Sequence, residues 1–177
     1  STSIFAEICT LNKAIPAPLD HKTLFSLFVI AVMMKQTRES VEFYKELRDE
    51  VKYRVENGIA ALATERCRLI DDNEPPWFFL KLFRHLERYG AVTVGSHHTF
   101  FLAGAFEDRL DGTIGPKIVP WERGMPLKTR EDALKALAFW YMDRPLLECA
   151  FKFKSEMLIR MVREWKVDAV ILHFNRG

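Results

Sequence analysis

The stretch Trp165-Lys166-Val167-Asp168-Ala169-Val170-Ile171-Leu172-His173-Phe174-Asn175-Arg176-Gly177 decides how this chain folds. It begins at the end of a helical pattern, runs through a core strand at 167–172, and finishes in a polar tip at 173–177. A helix that leads directly into a buried strand is the second half of a βαβ unit, and ligands bind at the C-terminal edge of parallel sheets. The chain is therefore expected to stop at a site. Its start at Ser1-Thr2-Ser3 has no Met, basic segment or apolar segment, so both ends read as interior cuts and no secretory signal is expected.

Working back from that stretch, Met157, Leu158, Met161, Val162 and Trp165 share the spacing of Phe78, Phe79, Leu82, Phe83 and Leu86. The earlier set lies between a strand candidate at Arg68-Leu69-Ile70 and another at Ala91-Val92-Thr93-Val94, with Gly90 as its stop. Pro75-Pro76 suits the first turn of that helix, where a missing N–H is harmless. The pattern predicts an α/β fold over 59–177: a small doubly wound parallel sheet of three strands, truncated, of half-Rossmann or flavodoxin-like type.

A helical segment is expected over 1–58. Ile4, Phe5, Ile8 and Leu11 form one helical face, ended by Pro16-Ala17-Pro18. Asp20 can cap a second helix whose run at 24–34 is apolar nearly all round and reads as buried. Thr37 can cap a third, with Glu39 in its first turn, Tyr44, Leu47, Val51 and Val55 on one face, and Asn57-Gly58 at its end. Between the second and third strands, 107–128 holds Gly and Pro at many positions and is predicted to be a long irregular loop, a lid or binding loop anchored by Trp121. Thr129-Arg130-Glu131-Asp132 is a capping-box variant, opening a helix with Leu134, Leu137, Ala138 and Tyr141.

Composition narrows the partners. Lys plus Arg number 26 against 24 Asp plus Glu, so there is no charge excess to hold a nucleic acid backbone or an anionic membrane. The longest apolar run, 24–34, falls short of the roughly 20 residues that a bilayer needs. Cys9, Cys67 and Cys149 are few, odd in number and without CxxC spacing, which predicts no disulfide framework, no metal site in this chain and a reducing compartment, by default the cytoplasm.

Three strand tips are expected on one rim: Asp71-Asp72-Asn73, Gly95-Ser96-His97-His98 and His173-Phe174-Asn175-Arg176. They hold three of the five histidines. Adjacent His97 and His98 on extended backbone point to opposite faces, so a helix cap or a ligand contact suits them better than one shared metal. Asp71 and Asp72 read as an acid-base or Mg²⁺ pair, or else Asp72 or Asn73 caps the next helix, the commoner use of such a side chain there. Trp77, Phe78, Phe79, Phe100 and Phe101 read as core, with a planar ring or acyl chain lying among them as the other reading. No GxxxxGK[ST], GxGxxG or GxSxG occurs. The substrate-facing set is expected to be Ser96, His97, His98, His173, Asn175, Asp72 and Asn73, with no catalytic residue assigned.

The runs Glu7-Ile8-Cys9-Thr10-Leu11-Asn12-Lys13-Ala14-Ile15-Pro16-Ala17-Pro18, 47–59 and 167–177 resemble the benzoyl-CoA reductase and 2-hydroxyacyl-CoA dehydratase family of catalytic subunits, covering the middle of a family member. The resemblance implies an anaerobic oxidoreductase or lyase that acts on an acyl-CoA. It implies a 4Fe-4S cluster in the parent subunit, a homologous second catalytic subunit in a heterodimer, and a separate ATP-hydrolysing activator that donates electrons. It also implies a ligand cysteine directly after Gly177 and two ahead of Ser1, so this stretch alone is expected to lack the cluster and to be inactive. The Asn175-Arg176-Gly177 tip resembles the reductase branch more than the dehydratases. From the residues alone, a non-catalytic α/β ligand-binding module remains the alternative.

Overall fold

The computed structural model describes residues 1–34, 37–72, 76–103, 106–142 and 151–172, and the side chains of these except at 101, 141–142 and 151–154. Three helices come first, the second and third started by the predicted caps. Helix α1 (Thr2–Leu11) buries Phe5, Ala6, Ile8 and Cys9. Helix α2 (His21–Met33) starts at Asp20, whose Oδ1 accepts from the Thr23 N–H at 2.9 Å. Helix α3 (Arg38–Glu56) starts at Thr37, whose hydroxyl accepts from the Ser40 N–H, and stops at Asn57 before Gly58 takes φ +64°. Such a φ favours glycine, which has no Cβ to clash. The expectation that α2 is buried all round is not met. Its inner face packs, while Val29 and Met33, with Met34 just beyond, stay exposed.

Strand β1 (Cys67–Asp71) follows, then helix α4 (Lys81–Glu87) and strand β2 (Ala91–Ser96). The crossover helix begins later than Pro75-Pro76 predicts. Trp77 reaches back to lie against Phe25 and Phe28, with ring centroids 5.9 and 6.3 Å apart, and 77–80 is turn and coil rather than helix. Helix α5 (His97–Ala103) leaves β2 at once.

The stretch predicted as an irregular loop contains an antiparallel hairpin, β3 (Phe106–Asp108) with β4 (Ile114–Pro116). Arg109 N–H donates to Thr113 O across its turn, and Gly112 sits at φ +80°. Trp121 is 59% exposed and anchors nothing in the core. Helix α6 (Arg130–Met142) opens with the predicted box: Asp132 N–H donates to Thr129 Oγ1, and Asp132 Oδ2 accepts from Thr129 N–H, each at 3.0 Å. These bonds hold the Asp132 carboxyl below its ordinary range.

Helix α7 (Phe151–Glu164) then leads to strand β5 (Ala169–Ile171). Between them Lys166 takes φ +53°, and Val167 N–H reaches back to Val162 O at 2.9 Å, a Schellman-type stop built on a lysine. β5 is shorter and more exposed than the core strand predicted at 167–172, because it borders the sheet and pairs only with β1 among the described residues.

The three strands are parallel, an α/β sheet as the sequence led us to expect, and their order β2-β1-β5 puts the first strand in sequence at the centre. A register shift at Leu69/Ile70 sets Ile70 opposite Gly95. A Cβ on Gly95 would fall 2.2 Å from the Phe100 ring, so glycine is what lets α5 fold back over β2.

One core cluster joins Phe5, Ile8 and Tyr44 of the helical segment to Ile70, Val94, Phe100 and Trp165 of the α/β segment. The Trp165 indole N–H donates to Cys9 O at 3.0 Å. Arg68 ties the N-terminal half of β1 to its surroundings: Nε donates to Trp165 O, Nη1 to Ala14 O and Glu65 Oε1, and Nη2 to Asn12 O. Asn12 in turn donates to Leu19 O and Val94 O and accepts from Leu19 N–H, closing the 12–19 loop onto the sheet.

Candidate functional site

Parallel pairing brings the C-terminal ends together. Asp71 of β1 is in register with Ser96 of β2 and Ile171 of β5, so the C-terminal ends of the three strands share one rim. The chain leaves β1 toward β2 and returns past β1 to β5, which makes the β1/β5 junction the switch point where such sheets open a crevice. Asp72 lies there, with its N–H donating to Ile171 O at 3.1 Å. His173 and Asn175 follow β5 and Asn73 follows Asp72 in sequence, but all three lie outside the described residues.

Asp72 does not cap the crossover helix, because α4 starts at Leu80 without a side-chain cap, eight residues further on. Ser96 performs the cap expected of a histidine: fully buried, its Oγ accepts from Thr99 N–H at 3.1 Å and starts α5. His97 and His98 are the first two residues of that helix, half-buried, rather than extended residues on opposite faces. The His98 ring meets Phe28 of α2 edge-on at 6.0 Å.

Sequence reasoning missed His21. The first residue of α2 is fully buried above the end of β1, with Nε2 3.7 Å from Asp71 Oδ2 and its ring 3.7 Å from the Phe25 centroid and 4.8 Å from that of Phe83. Burial lowers its pKa to about 3 against the opposing pull of the Asp20 charge, so the ring is neutral at physiological pH. Neither ring nitrogen has a hydrogen-bond partner among the described residues. A histidine one residue past an aspartate cap carries no periodic signal, and only the fold brings it to Asp71.

The aromatic residues next to the rim divide. Phe100 is core, but Trp77, Phe78 and Phe79 are 51%, 84% and 52% exposed, contrary to the expectation that they pack inside. Phe101 is a position whose side chain is not described.

The iron–sulfur expectation finds no ligand set here. Among the described residues no group of three His, Cys, Asp or Glu side chains could hold a metal. Cys9 is in the core, where burial pushes its thiol well up. Cys67 opens β1 at the end of the sheet opposite the rim, its thiol also raised by burial and by the Asp168 charge. Cys149 lies outside the described residues. The described residues do not fit a cluster.

A separate cavity of about 730 Å³ lies between the start of α1, the 116–127 segment and α6. Trp121, Leu127, Leu137 and Trp140 line it, together with Lys117, whose ammonium sits 5.2 Å over the Trp140 ring. No rim residue contributes to it.

The fold is an open parallel α/β sheet whose three strand ends lie along one edge. The chain belongs to the family described as 2-hydroxyglutaryl-CoA dehydratase, D-component, whose model matches residues 1–177. No curated protein and no solved structure matches the chain. Membership makes it a subunit of a 2-hydroxyacyl-CoA dehydratase-type enzyme, which works with a partner subunit. No described helix is long and apolar enough to cross a membrane.

Proposed function

We propose that this chain supplies the thioester-binding rim of a catalytic subunit in an iron–sulfur, ATP-activated enzyme that passes an electron to an acyl-CoA. Dehydration of a 2-hydroxyacyl-CoA is the primary reading, because the matching family model carries that description. Reduction of the benzoyl-CoA type is the second reading, favoured by the Asn175-Arg176-Gly177 tip. The cluster, the second catalytic subunit and the activator belong to this proposal, and the chemistry they supply is low-potential electron transfer. The cluster's ligands would come from outside the described residues, since these do not fit one.

The observation that carries the reading is the register of Asp71 with both Ser96 and Ile171, which brings the C-terminal ends of the three strands to one edge. There, His97 and His98 offer imidazole donors beside a buried neutral His21. Donors fixed in a dry site stabilise negative charge that develops on a carbonyl oxygen, and they need no reorganisation as it forms. His173 and Asn175 would extend the donor set, with Asp72 and Asn73 accepting from the amide N–H groups of the pantetheine arm.

Calorimetric titration of the intact protein with a non-reactive acyl-CoA tests this. His98→Ala is expected to weaken binding at least about tenfold, roughly 1.4 kcal/mol, with Lys117→Ala without effect. The reverse pattern would move the ligand to the 730 Å³ cavity and refute the rim.

A further inference from the structure

The exposed rings beside the rim form a continuous surface with it. Trp77 stacks on Phe28 at 6.3 Å with planes 25° apart and leans on Phe25 at 5.9 Å, and the other edge of Phe28 meets His98 at 6.0 Å. Phe78 and Phe79 continue the sequence from Trp77, 84% and 52% exposed. Val29 adds an exposed aliphatic side chain one residue after Phe28 on α2. A half-exposed tryptophan held in place by two buried phenylalanines is a preorganised aromatic face on which a planar or bulky apolar group can lie.

Charge selects what covers it. The described carboxylates around the rim are Asp20, Asp71 and Asp72. The Arg84 guanidinium nearby is engaged by Glu87 at 2.7 Å and Asp20 at 3.7 Å. His21 is neutral and adds no positive charge. A second carboxylate on the acyl group would lose water on the ring face without gaining a ring contact, whereas a neutral ring would meet rings.

Resting on the reading of the rim as the thioester site, we infer that Trp77, Phe28 and Phe78 form the acyl subsite and select a neutral aromatic or bulky apolar acyl group over a dicarboxylic one. Trp77 and Phe78 are then specificity-determining residues. The acyl chain passes from the carbonyl at His98 onto the Trp77 face, a path the Phe28 ring already spans. The exposed cations on the flanking helices, Lys22 of α2 and Lys81 of α4, are the groups that would hold a second carboxylate if the selection ran the other way.

The test compares 3-phenylpropionyl-CoA with glutaryl-CoA, thioesters of similar length that end in a ring or a carboxylate and lack the reactive hydroxyl. Binding to the intact protein is followed by titration calorimetry, with free CoA as the reference. The aryl thioester is expected to bind at least about tenfold tighter than the glutaryl one. Trp77→Ala should remove most of that ratio and leave glutaryl-CoA affinity within about twofold, and Phe78→Ala should reduce it by a smaller factor. Both side chains are at least half exposed, so the variants are expected to fold, and circular dichroism checks this. Glutaryl-CoA binding as tightly as the aryl thioester would overturn the subsite while leaving the rim in place. An aryl preference that survives both substitutions would overturn the assignment to Trp77 and Phe78. Binding of neither thioester above free CoA would overturn the rim reading and this inference with it.

Discussion

Arg68→Met should destabilise the fold far more than an average substitution. The guanidinium is 4% exposed and donates to four acceptors drawn from three segments: Asn12 O and Ala14 O in the first loop, Glu65 Oε1 before β1, and Trp165 O at the end of α7. Methionine fills a similar volume but leaves the Glu65 carboxylate, 10% exposed, without its cation, and leaves three backbone carbonyls short of a donor. Removing one member of a buried ion pair costs about 3–5 kcal/mol, a large part of the 5–15 kcal/mol that holds a typical domain. Urea unfolding followed by tryptophan fluorescence measures it. Arg68→Lys should recover only part of the loss, because one ammonium cannot span acceptors that a planar fork reaches together. Adding Glu65→Gln to Arg68→Met should cost less than the sum of the single changes, since the stranded charge is gone. A loss below about 1 kcal/mol for Arg68→Met, or strict additivity in the double variant, would refute the view that this one side chain joins the helical segment to the sheet.

Three further outcomes are expected. His21 is neutral when folded, with a pKa of about 3 against the usual 6.5, so the unfolded chain takes up a proton that the folded one refuses. Stability should therefore fall as pH drops from 6.5 toward 3, by at most about 1.4 kcal/mol per pH unit; unfolding curves from pH 7 to 4 should be steeper than those of His21→Asn, and equal slopes would count against a buried neutral ring. Gly95→Ala should cost about 1–3 kcal/mol by forcing Phe100 aside, with a drop in melting temperature as the readout and an unchanged melting point as the contrary result. Lys166→Gly should stabilise by up to about 1 kcal/mol, because it relieves a side chain at φ +53°, and a lower midpoint in urea would show that the lysine makes contacts worth more than its strain.

The elements that were legible in the sequence have their signals within a few residues. Asp20, Thr37, Thr129 with Asp132, and Gly58 mark helix ends by hydrogen bonds that span three or four positions, and each performs as read. The parallel sheet was legible from repeated helix-then-strand spacing. What escaped depends on contacts between segments distant in sequence. Trp77, Phe78 and Phe79 share the spacing of a buried helical face, but Trp77 finds Phe25 and Phe28 some fifty residues back, and the helix starts after it. The strands of the β3-β4 hairpin have three residues each, too few to show alternation among the glycines and prolines around them. At the candidate site, Asp72, Ser96, His97 and His98 do fall on the rim, yet His21 enters it from a helix that ends more than thirty residues before β1 begins.

The two ends of β1 sit in different polar surroundings. Its N-terminal half is saturated: Arg68 N–H and C=O both bond to Asp168, and the Arg68 side chain meets four further acceptors. At its other end, three strand positions on, the fully buried His21 ring faces Asp71 with neither nitrogen in a hydrogen bond to a described group. A buried polar group left unsatisfied costs about 1–3 kcal/mol, and most such groups in folded proteins do find partners. Relieving that cost within the chain would take only an apolar residue at position 21, which packs equally well between Phe25 and Phe83. A polar ring in that place makes physical sense where a further group comes to the strand ends and completes its hydrogen bonds. The rim site proposed above predicts such a group, and His21→Leu, which removes the need for one, should then weaken acyl-CoA binding.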